Sequence, residues 1–378
     1  MEEKNNTQKN LFYYFIPMVI DKDLSEETID LKIESDYLKG NVLSILKQCK
    51  YTKSSFNLIK YLNNPDIEKN INCLESGFYS FKNLCINENN KFAKLKYLCL
   101  KVEYKLNEID KIIKYNRIVF KALAKIDAYF KENKLEGKSK CYKPRVLSIL
   151  FIDDLIDNDY DHYSQVSNLL SNCSDDTIIK TKTERIHLNT LFSTSIRGGN
   201  LIKSSNDYTF IDGSFENNYK SLFLLALNQI MICEYENDNV TEFIKKYDKN
   251  TDNKNMDNII VNIKRQIATY FFDVTTNVVN INLFYRDLLV NFVLESSQKE
   301  LVENVEILNS LVNKNMEIRR NRHEKIGRVV LAAQAVLLII LAVLQVVNDN
   351  YKLNTLFIGI PIGIVLLLIY SIFINREK

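Results

Sequence analysis

Ser193–Asn200 has the sequence STSIRGGN, which offers the clearest means of binding an anion in the chain. Arg197 precedes Gly198 and Gly199, so a guanidinium and the backbone N–H groups of a glycine turn could meet one anion. Gly-Gly pairs are also common in turns that only reverse the chain. The stretch ending at Asn200 is therefore interpreted in two ways, as a phosphate- or nucleotide-binding turn or as an ordinary turn.

A cluster of five aspartates follows a predicted strand, and its members are Asp153, Asp154, Asp157, Asp159 and Asp161. Carboxylate oxygens are the ligands that Mg²⁺ and Ca²⁺ prefer, so Asp153, Asp154 and Asp157 could hold a divalent cation and act as an intracellular metal sensor. The other interpretation is a solvated acidic loop. Mg²⁺ or another divalent cation and a nucleotide messenger are thus the two ligands that the sequence suggests, and it identifies no other cofactor.

A small basic cluster contains Lys138, Lys140, Lys143 and Arg145, with Tyr142 among them. Charge clusters of this size usually lie on a solvated face, and we predict that here. The net charge of the whole chain is only +3, which gives no support for a nucleic-acid partner.

Familiar catalytic motifs are missing from the sequence. It contains no GxxxxGK[ST], GxGxxG, HExxH or GxSxG pattern and no EF-hand loop. Its seven cysteines include no CxxC pair, which is typical of reduced thiols rather than a zinc ribbon. The sequence therefore predicts that the protein is not an enzyme.

Two segments near the C-terminus are long enough to cross a membrane. Val329–Val347 and Leu356–Ile374 are each 19 residues long and contain no charged side chain. A bilayer core needs about 20 apolar residues in a helix, so we predict a hairpin of two transmembrane helices. Two buried core helices are the alternative, although such helices rarely lack a charged face.

Charges around these segments predict their orientation. Basic residues precede the first span, among them Arg319, Arg320 and Arg322, and Arg376 and Lys378 follow the second. The positive-inside rule then leaves the loop 348–355 outside the cell and both termini in the cytoplasm. We therefore predict a multi-pass protein of the plasma (inner) membrane with a cytosolic tail at 375–378.

The remainder is predicted to be an α+β region dominated by helix. Leu11–Ile20 and Val146–Ile152 are typical of buried strands, and Asp207–Ile211 is a weaker candidate. Pro17 predicts that the first strand lies at a sheet edge or contains a bulge. From Phe92 to Phe130 apolar residues recur every three or four positions, which indicates helix. This cytosolic α/β sensor region is assigned to residues 1–250.

A long helical stalk is predicted at residues 251–328. One series of residues in the stalk and first span alternates spacings of four and three, and this seam consists of Leu301, Val305, Leu308, Val312, Asn315, Arg319, Arg322, Ile326, Val329, Ala333, Val336, Ile340, Val343 and Val347. The repeat predicts a single helix that enters the membrane and associates with copies of itself. Packing of the stalk within one monomer is the alternative.

A second stripe on this helix would be important for conduction. Its members lie close to one helix face, namely Gly327, Gln334, Leu338, Leu341, Gln345 and Asn348. Glutamine is costly toward lipid, so the last five are predicted to line a pore, unless they only join neighbouring helices. Asn348, Asp349 and Asn350 would form its outer mouth. Arg319 and Arg322 would form a basic ring at its inner mouth.

The order of these parts resembles the CorA-type metal-ion transporter superfamily: a cytosolic α/β domain, a long helix entering a first span, a very short loop and a second span. Phe271–Glu317 looks like the stalk helix of that family, and the resemblance extends over residues 206–378. The Gly-Met-Asn motif of the family is missing, and only an asparagine can be carried over, to Asn348 or Asn350.

What the resemblance implies is a homo-oligomer, a pentamer in the family, with the first spans around a central axis. Divergent CorA-like proteins without the motif occur beside type III CRISPR systems, and this chain is similar in outline to those messenger-gated membrane effectors of antiviral defence. We therefore expect a membrane channel or effector controlled by a cytosolic ligand. A divalent metal-cation transporter and a non-catalytic membrane-anchored scaffold are the alternatives.

Overall fold

A computed structural model describes residues 10–20, 28–30, 38–82, 85–86, 92–106, 108–132, 140–152, 160–171, 182–187, 190–204, 213–247, 253–271 and 279–347. The chain divides into two compact units. The first comprises Met1–Lys246 and Ile259–Val305, and the second comprises Tyr247–Asn258 and Glu306–Lys378. The α+β prediction is confirmed, including a long helix toward the C-terminus.

The strands are β1 Asn10–Ile20, β2 Thr28–Asp30, β3 Lys50–Lys53, β4 Ile71–Ser80, β5 Cys85–Ile86, β6 Phe92–Tyr104, β7 Lys140–Cys141, β8 Arg145–Ile152, β9 Lys182–His187, β10 Thr190–Ser195 and β11 Gly198–Ser204. The helices are α1 Gly40–Lys47, α2 Leu58–Leu62, α3 Pro65–Asn70, α4 Ile109–Leu123, α5 Ile126–Glu132, α6 Tyr160–Ser171, α7 Gly213–Lys246, α8 Asn253–Tyr270, α9 Val279–Asn291 and α10 Leu294–Val347.

The described strands form one mixed sheet in the first unit. Its order is β2-β3-β4-β6-β1-β8-β11-β10-β9, with β5 paired to β6 and β7 to β1. Neighbouring strands are antiparallel except β8 and β11, which run parallel. The predicted strands Leu11–Ile20 and Val146–Ile152 are confirmed as β1 and β8, which lie side by side near the centre.

Helices cover both faces of this sheet, so its inner strands are apolar on both sides. Phe12, Tyr14 and Ile16 join the core cluster that contains residues of α4 and α6. On the other face, the ring of Phe15 stacks 5.2 Å from Phe223 of α7. Farther along the sheet, Phe192 of β10 meets Phe284 of α9 edge-on at 5.8 Å.

Pro17 lies in the interior of the sheet, so the prediction of an edge strand or a bulge at this position is wrong. On one side of β1, Pro17 stands opposite Tyr97 of β6. On the other side, β8 pairs with β1 only up to Phe15, and β7 begins pairing at Met18. The missing N–H of proline thus falls in the gap between two partner strands, where no ladder bond is lost.

The helix predicted from Phe92 to Phe130 is correct only in its second half. Phe92–Tyr104 is the strand β6, and helix begins at Ile109 with α4. Leu95, Leu98 and Val102 have helical spacing, but the intervening Tyr97 and Cys99 are also buried. The spacing was misleading because burial on both faces removes the alternation by which a strand is recognised.

The single stalk helix is also corrected, since α8, α9 and α10 occupy this part of the chain. Phe292 and Leu294 are both buried, at 3% and 6% exposure, and they flank Val293. Residues two positions apart lie on different sides of a helix, so burying both requires a break. Val293 makes the break by adopting a left-handed conformation with φ of 58°. The helix that begins at Leu294 then continues for 54 residues.

Substitution of Val293 by asparagine is expected to raise the free energy of unfolding by about 1 kcal/mol, because a left-handed conformation costs a β-branched residue about 1–2 kcal/mol. Val293 is half exposed, so little packing is lost. Val290→Asn is the matched control, since Val290 is 74% exposed inside α9. Thermal unfolding of the full chain in detergent measures both variants, and a less stable Val293→Asn would contradict the explanation.

The predicted seam differs in exposure along α10. Its first members, Leu301 to Asn315, are buried within the single chain. Beyond Asn315, the described residues of the helix up to Leu341 are all half-buried or exposed. The part of the seam before residue 316 therefore fits the alternative of packing within one monomer. Self-association remains a prediction for the part that starts at Arg319.

Candidate ligand-binding site

The turn between β10 and β11 contains Ile196 and Arg197 and is held by backbone contacts. The Arg197 N–H donates to Ser195 Oγ at 3.1 Å, and the Arg197 carbonyl accepts from the Val146 N–H at 2.9 Å. Gly198 follows with φ of +150°. A Cβ on Gly198 would stand 1.8 Å from the Val146 carbonyl oxygen, so only glycine fits between β11 and β8.

Gly199 and Asn200 serve the packing of the sheet. A Cβ on Gly199 would approach the ring of Phe284 to 2.9 Å. Asn200 is only 4% exposed, and its Oδ1 accepts from Ser148 Oγ at 2.7 Å. Its Nδ2 donates to Ser193 Oγ at 3.2 Å. Of the four residues predicted to form an anion-binding turn, only Arg197 faces the cavity described next.

A cavity of about 710 Å³ lies in the first unit beside this turn. Its volume suits a drug-sized or nucleotide-sized ligand. The turn and the start of β8 form one wall, and α7 and the first two turns of α10 form the others. The lining residues are Tyr142, Lys143, Arg145, Ile196, Arg197, Met231, Cys233, Glu234, Asn237, Asp238, Ser297 and Glu300.

Arg145 is the most deeply buried charge of the cavity wall, with 8% exposure. Its guanidinium lies 5.7 Å from the ring centre of Phe292, and its Nη2 lies 3.8 Å from Glu234 Oε1. That separation makes an ion pair but not a hydrogen bond. The Nε of Arg145 is buried and has no hydrogen-bond acceptor. A buried guanidinium with an unused N–H group is well suited to receive an anion.

Arg197 is a second arginine among the residues that line the cavity. It stacks 5.4 Å from the ring centre of Phe120, which orients it, and its Nε is likewise buried without an acceptor. Burial lowers the pKa of Arg145, Glu234 opposes this change, and the charge of Arg197 adds to it. The two cations therefore disfavour each other, and an anion between them would relieve that repulsion.

The opposite wall comes from α7 and carries acids. Burial raises the pKa of Glu234, Arg145 lowers it, and Asp238 raises it further. Burial also raises the pKa of the Cys233 thiol to about 12, so the thiol stays protonated at neutral pH. The cavity thus combines the buried Arg145 and the half-buried Arg197 with a carboxylate that burial makes easier to protonate.

Side-chain hydrogen bonds join the cavity wall on α7 to α10. Asn304 Nδ2 donates to Asn237 Oδ1 at 2.6 Å, and it also lies 3.4 Å from Thr241 Oγ1. Ser297 and Glu300 line the cavity from the first two turns of α10. A ligand in the cavity would therefore contact the same helix that continues to Val347.

Sequence reasoning missed Arg145, which was predicted to lie with its basic neighbours on a solvated face. The alternation within β8 contained a signal, since Arg145, Leu147 and Ile149 are the positions that share one face of the strand. A charged residue on a core-facing position is unusual unless it has a function. Glu234 was missed because nothing in the sequence relates α7 to β8.

Other predicted site residues lie elsewhere. Asp153, Asp154 and Asp157 fall outside the described residues, as do Asp207–Ile211, the outer mouth Asn348, Asp349 and Asn350, and the second span. Within the described ranges, no three metal-ligating side chains come together. Arg319, Arg322, Gln334, Leu338 and Leu341 are all on α10, and position 345 follows on the same helix.

No helix within the described ranges is both long enough and apolar enough to cross a bilayer.

A second cavity of about 920 Å³ lies between β4 and the short helices α2 and α3. Its charged lining residues include Lys53, Lys60 and Lys105, and all three are exposed. Solvated lysines give weak and unselective attraction compared with a buried guanidinium. The cavity at Arg145 and Arg197 is therefore the stronger candidate.

Compared with protein-family models, with curated proteins and with solved structures, the chain gave no match.

Proposed function

We propose that this chain is a CorA-like oligomeric membrane channel or effector, controlled by a phosphorylated nucleotide messenger that binds between Arg145 and Arg197. One observation carries the proposal. Helix α10 lines the ligand cavity with Ser297 and Glu300 and continues without a break into the uncharged residues from Val329 onward. The ligand site and the segment expected to act on the membrane thus belong to one helix.

The membrane part of the proposal is a hairpin of spans at 329–347 and 356–374, joined by the loop 348–355. The exposure of the described portion supports it. Val329, Leu331 and Leu338 are 68%, 65% and 65% exposed, and Ile339 and Ile340 are also exposed. A helix that is apolar all round needs an apolar environment, which lipid and neighbouring spans would provide. Both termini would be cytoplasmic, and the protein would reside in the plasma membrane.

The assembly part is a homo-oligomer, pentameric by resemblance. Copies of α10 would meet along the seam residues that start at Arg319, which the single chain leaves half-buried or exposed. Gln334, Leu338, Leu341, Gln345 and Asn348 would then line the axis. Arg319 and Arg322 would form a positive ring at the inner mouth, which opposes free entry of cations.

Ligand control follows from differential binding. A ligand shifts a two-state channel only if it binds the two states with different affinity. Movement of the first turns of α10 would change the cavity wall at Ser297 and Glu300, so the two states would differ in ligand affinity. Control of this kind is suited to a membrane effector of antiviral defence that responds to a nucleotide signal.

Arg197→Ala should weaken nucleotide binding about tenfold, because it removes one charged hydrogen-bond donor from the cavity. The full chain in detergent is titrated calorimetrically with AMP, ATP and cyclic di-AMP, and ion flux is followed in liposomes. Gln334→Leu should change flux while leaving nucleotide affinity unaltered, since it lies on the axial stripe. Arg265→Ala is the control, because Arg265 is an exposed arginine on α8.

Two outcomes would favour the alternatives. Constitutive flux of Mg²⁺ that is indifferent to nucleotides and to Arg197→Ala would favour a divalent metal-cation transporter. Absence of any flux with the protein inserted and oligomeric would favour a membrane-anchored scaffold.

A further inference from the structure

The acid Glu234 occupies an unusual position opposite Arg145. Its Oε1 is 3.8 Å from Nη2 of Arg145, too far for a hydrogen bond, and Nε of the same guanidinium has no acceptor. The Glu234 side chain is 40% exposed, whereas that of Arg145 is 10% exposed. The acid can therefore move toward water, but the guanidinium cannot.

From this geometry we infer that Glu234 is a built-in competitor of the ligand, which occupies Arg145 loosely in the empty cavity and is displaced by the anionic group of the ligand. The inference rests on the proposed anion site and adds to it the residue that sets its affinity. An anion that reaches Nη2 and Nε together would make two charged hydrogen bonds where Glu234 makes none. Displacement is thus favourable, but it costs the ion pair.

The displaced acid also has a route to α10. Asn237 follows Glu234 by one turn of α7, lines the same cavity and accepts the hydrogen bond from Asn304 of α10. A shift of this turn of α7 would disturb the hydrogen bond to Asn304, which lies on α10 beyond the residues that line the cavity. Glu234 would then weaken binding of the ligand and, when displaced, pass the change on to α10.

The decisive comparison is the affinity of the full chain in detergent for inorganic pyrophosphate, with and without the Glu234 carboxylate. Glu234→Gln keeps the shape and removes the charge, so it should tighten binding about tenfold. Glu242→Gln is the matched control, since it makes the same change two turns farther along α7 and outside the cavity. Its affinity should equal that of the native chain.

A second measurement uses sulfate, whose charge stays constant between about pH 5 and pH 8. Protonation of Glu234 releases Arg145, so stabilisation of the native chain by sulfate should grow as the pH falls, and that growth should be smaller in Glu234→Gln. The other charged groups of the cavity are kept in both proteins, namely Lys143, Arg145, Arg197, Asp238 and Glu300. Their effects therefore cancel in the comparison.

Each outcome has a distinct meaning. Native binding with no gain in Glu234→Gln, or an equal gain in Glu242→Gln, overturns the inference and leaves the anion site intact. If neither the native chain nor Glu234→Gln binds pyrophosphate or sulfate while both remain folded, the anion site itself is wrong and the competitor role falls with it.

Discussion

Gly198→Ala is expected to lower the free energy of unfolding by about 4 kcal/mol, because it adds backbone strain to an overlap that cannot be relieved. The φ of Gly198 is +150°, a region that L side chains rarely adopt. The atom in the way is the main-chain oxygen of Val146, in the strand that pairs in parallel with β11. Thermal or chemical unfolding of the full chain in detergent measures the loss.

Two other glycines provide a graded comparison. At Gly199 the added methyl would meet the ring of Phe284, which can yield, so we expect a loss of about 1–3 kcal/mol. At Gly40 no atom lies within 4 Å, and the change should stay within about 1 kcal/mol. Equal losses at all three positions would show that the contact between β8 and β11 is not as close as described.

Arg145→Met should separate stability from ligand binding, since we expect opposite effects on the two. The free energy of unfolding should rise by about 1 kcal/mol, because a buried and incompletely paired charge is replaced by an apolar chain of similar length. Glu234, left without its partner, is exposed enough to be solvated. Affinity for pyrophosphate should fall about 100-fold, as expected for the loss of a buried charged donor.

Arg265→Met, an exposed arginine outside the cavity, should change neither quantity. The result that speaks against the candidate site is an Arg145→Met protein that unfolds more easily and binds pyrophosphate as well as before. Arg145 would then be a structural residue that supports Phe292 and α7.

Local pattern was sufficient where a buried strand is a short and uninterrupted apolar run. Val146–Ile152 is a short apolar run, and it forms β8. The same reasoning failed at Phe92–Tyr104, where Lys96 and Glu103 are buried together with the apolar residues from Leu95 onward. A strand covered on both faces has no periodic signal of its own, so only its partners β1 and β4 define it.

Of the candidate site, sequence reasoning found Arg197 but not its neighbours. Arg197 could be found because it precedes two glycines, which is a local pattern. Arg145 and Glu234 are 89 positions apart and meet only because α7 packs across β8. Contacts of this kind depend on tertiary packing, which a single sequence does not encode in any local spacing.

The central position of β1 has a consequence for synthesis of the chain. Its two long neighbours are β6, which ends at Tyr104, and β8, which ends at Ile152. At about 5–20 residues per second, a ribosome completes β1 roughly 7–26 s before β8 is available. β6 can pair with one edge of this aromatic-rich strand earlier, but its other edge stays open until β8 is made, and an open strand edge is prone to aggregate. Production of this protein should therefore depend on chaperones that protect the nascent chain until β8 has been made.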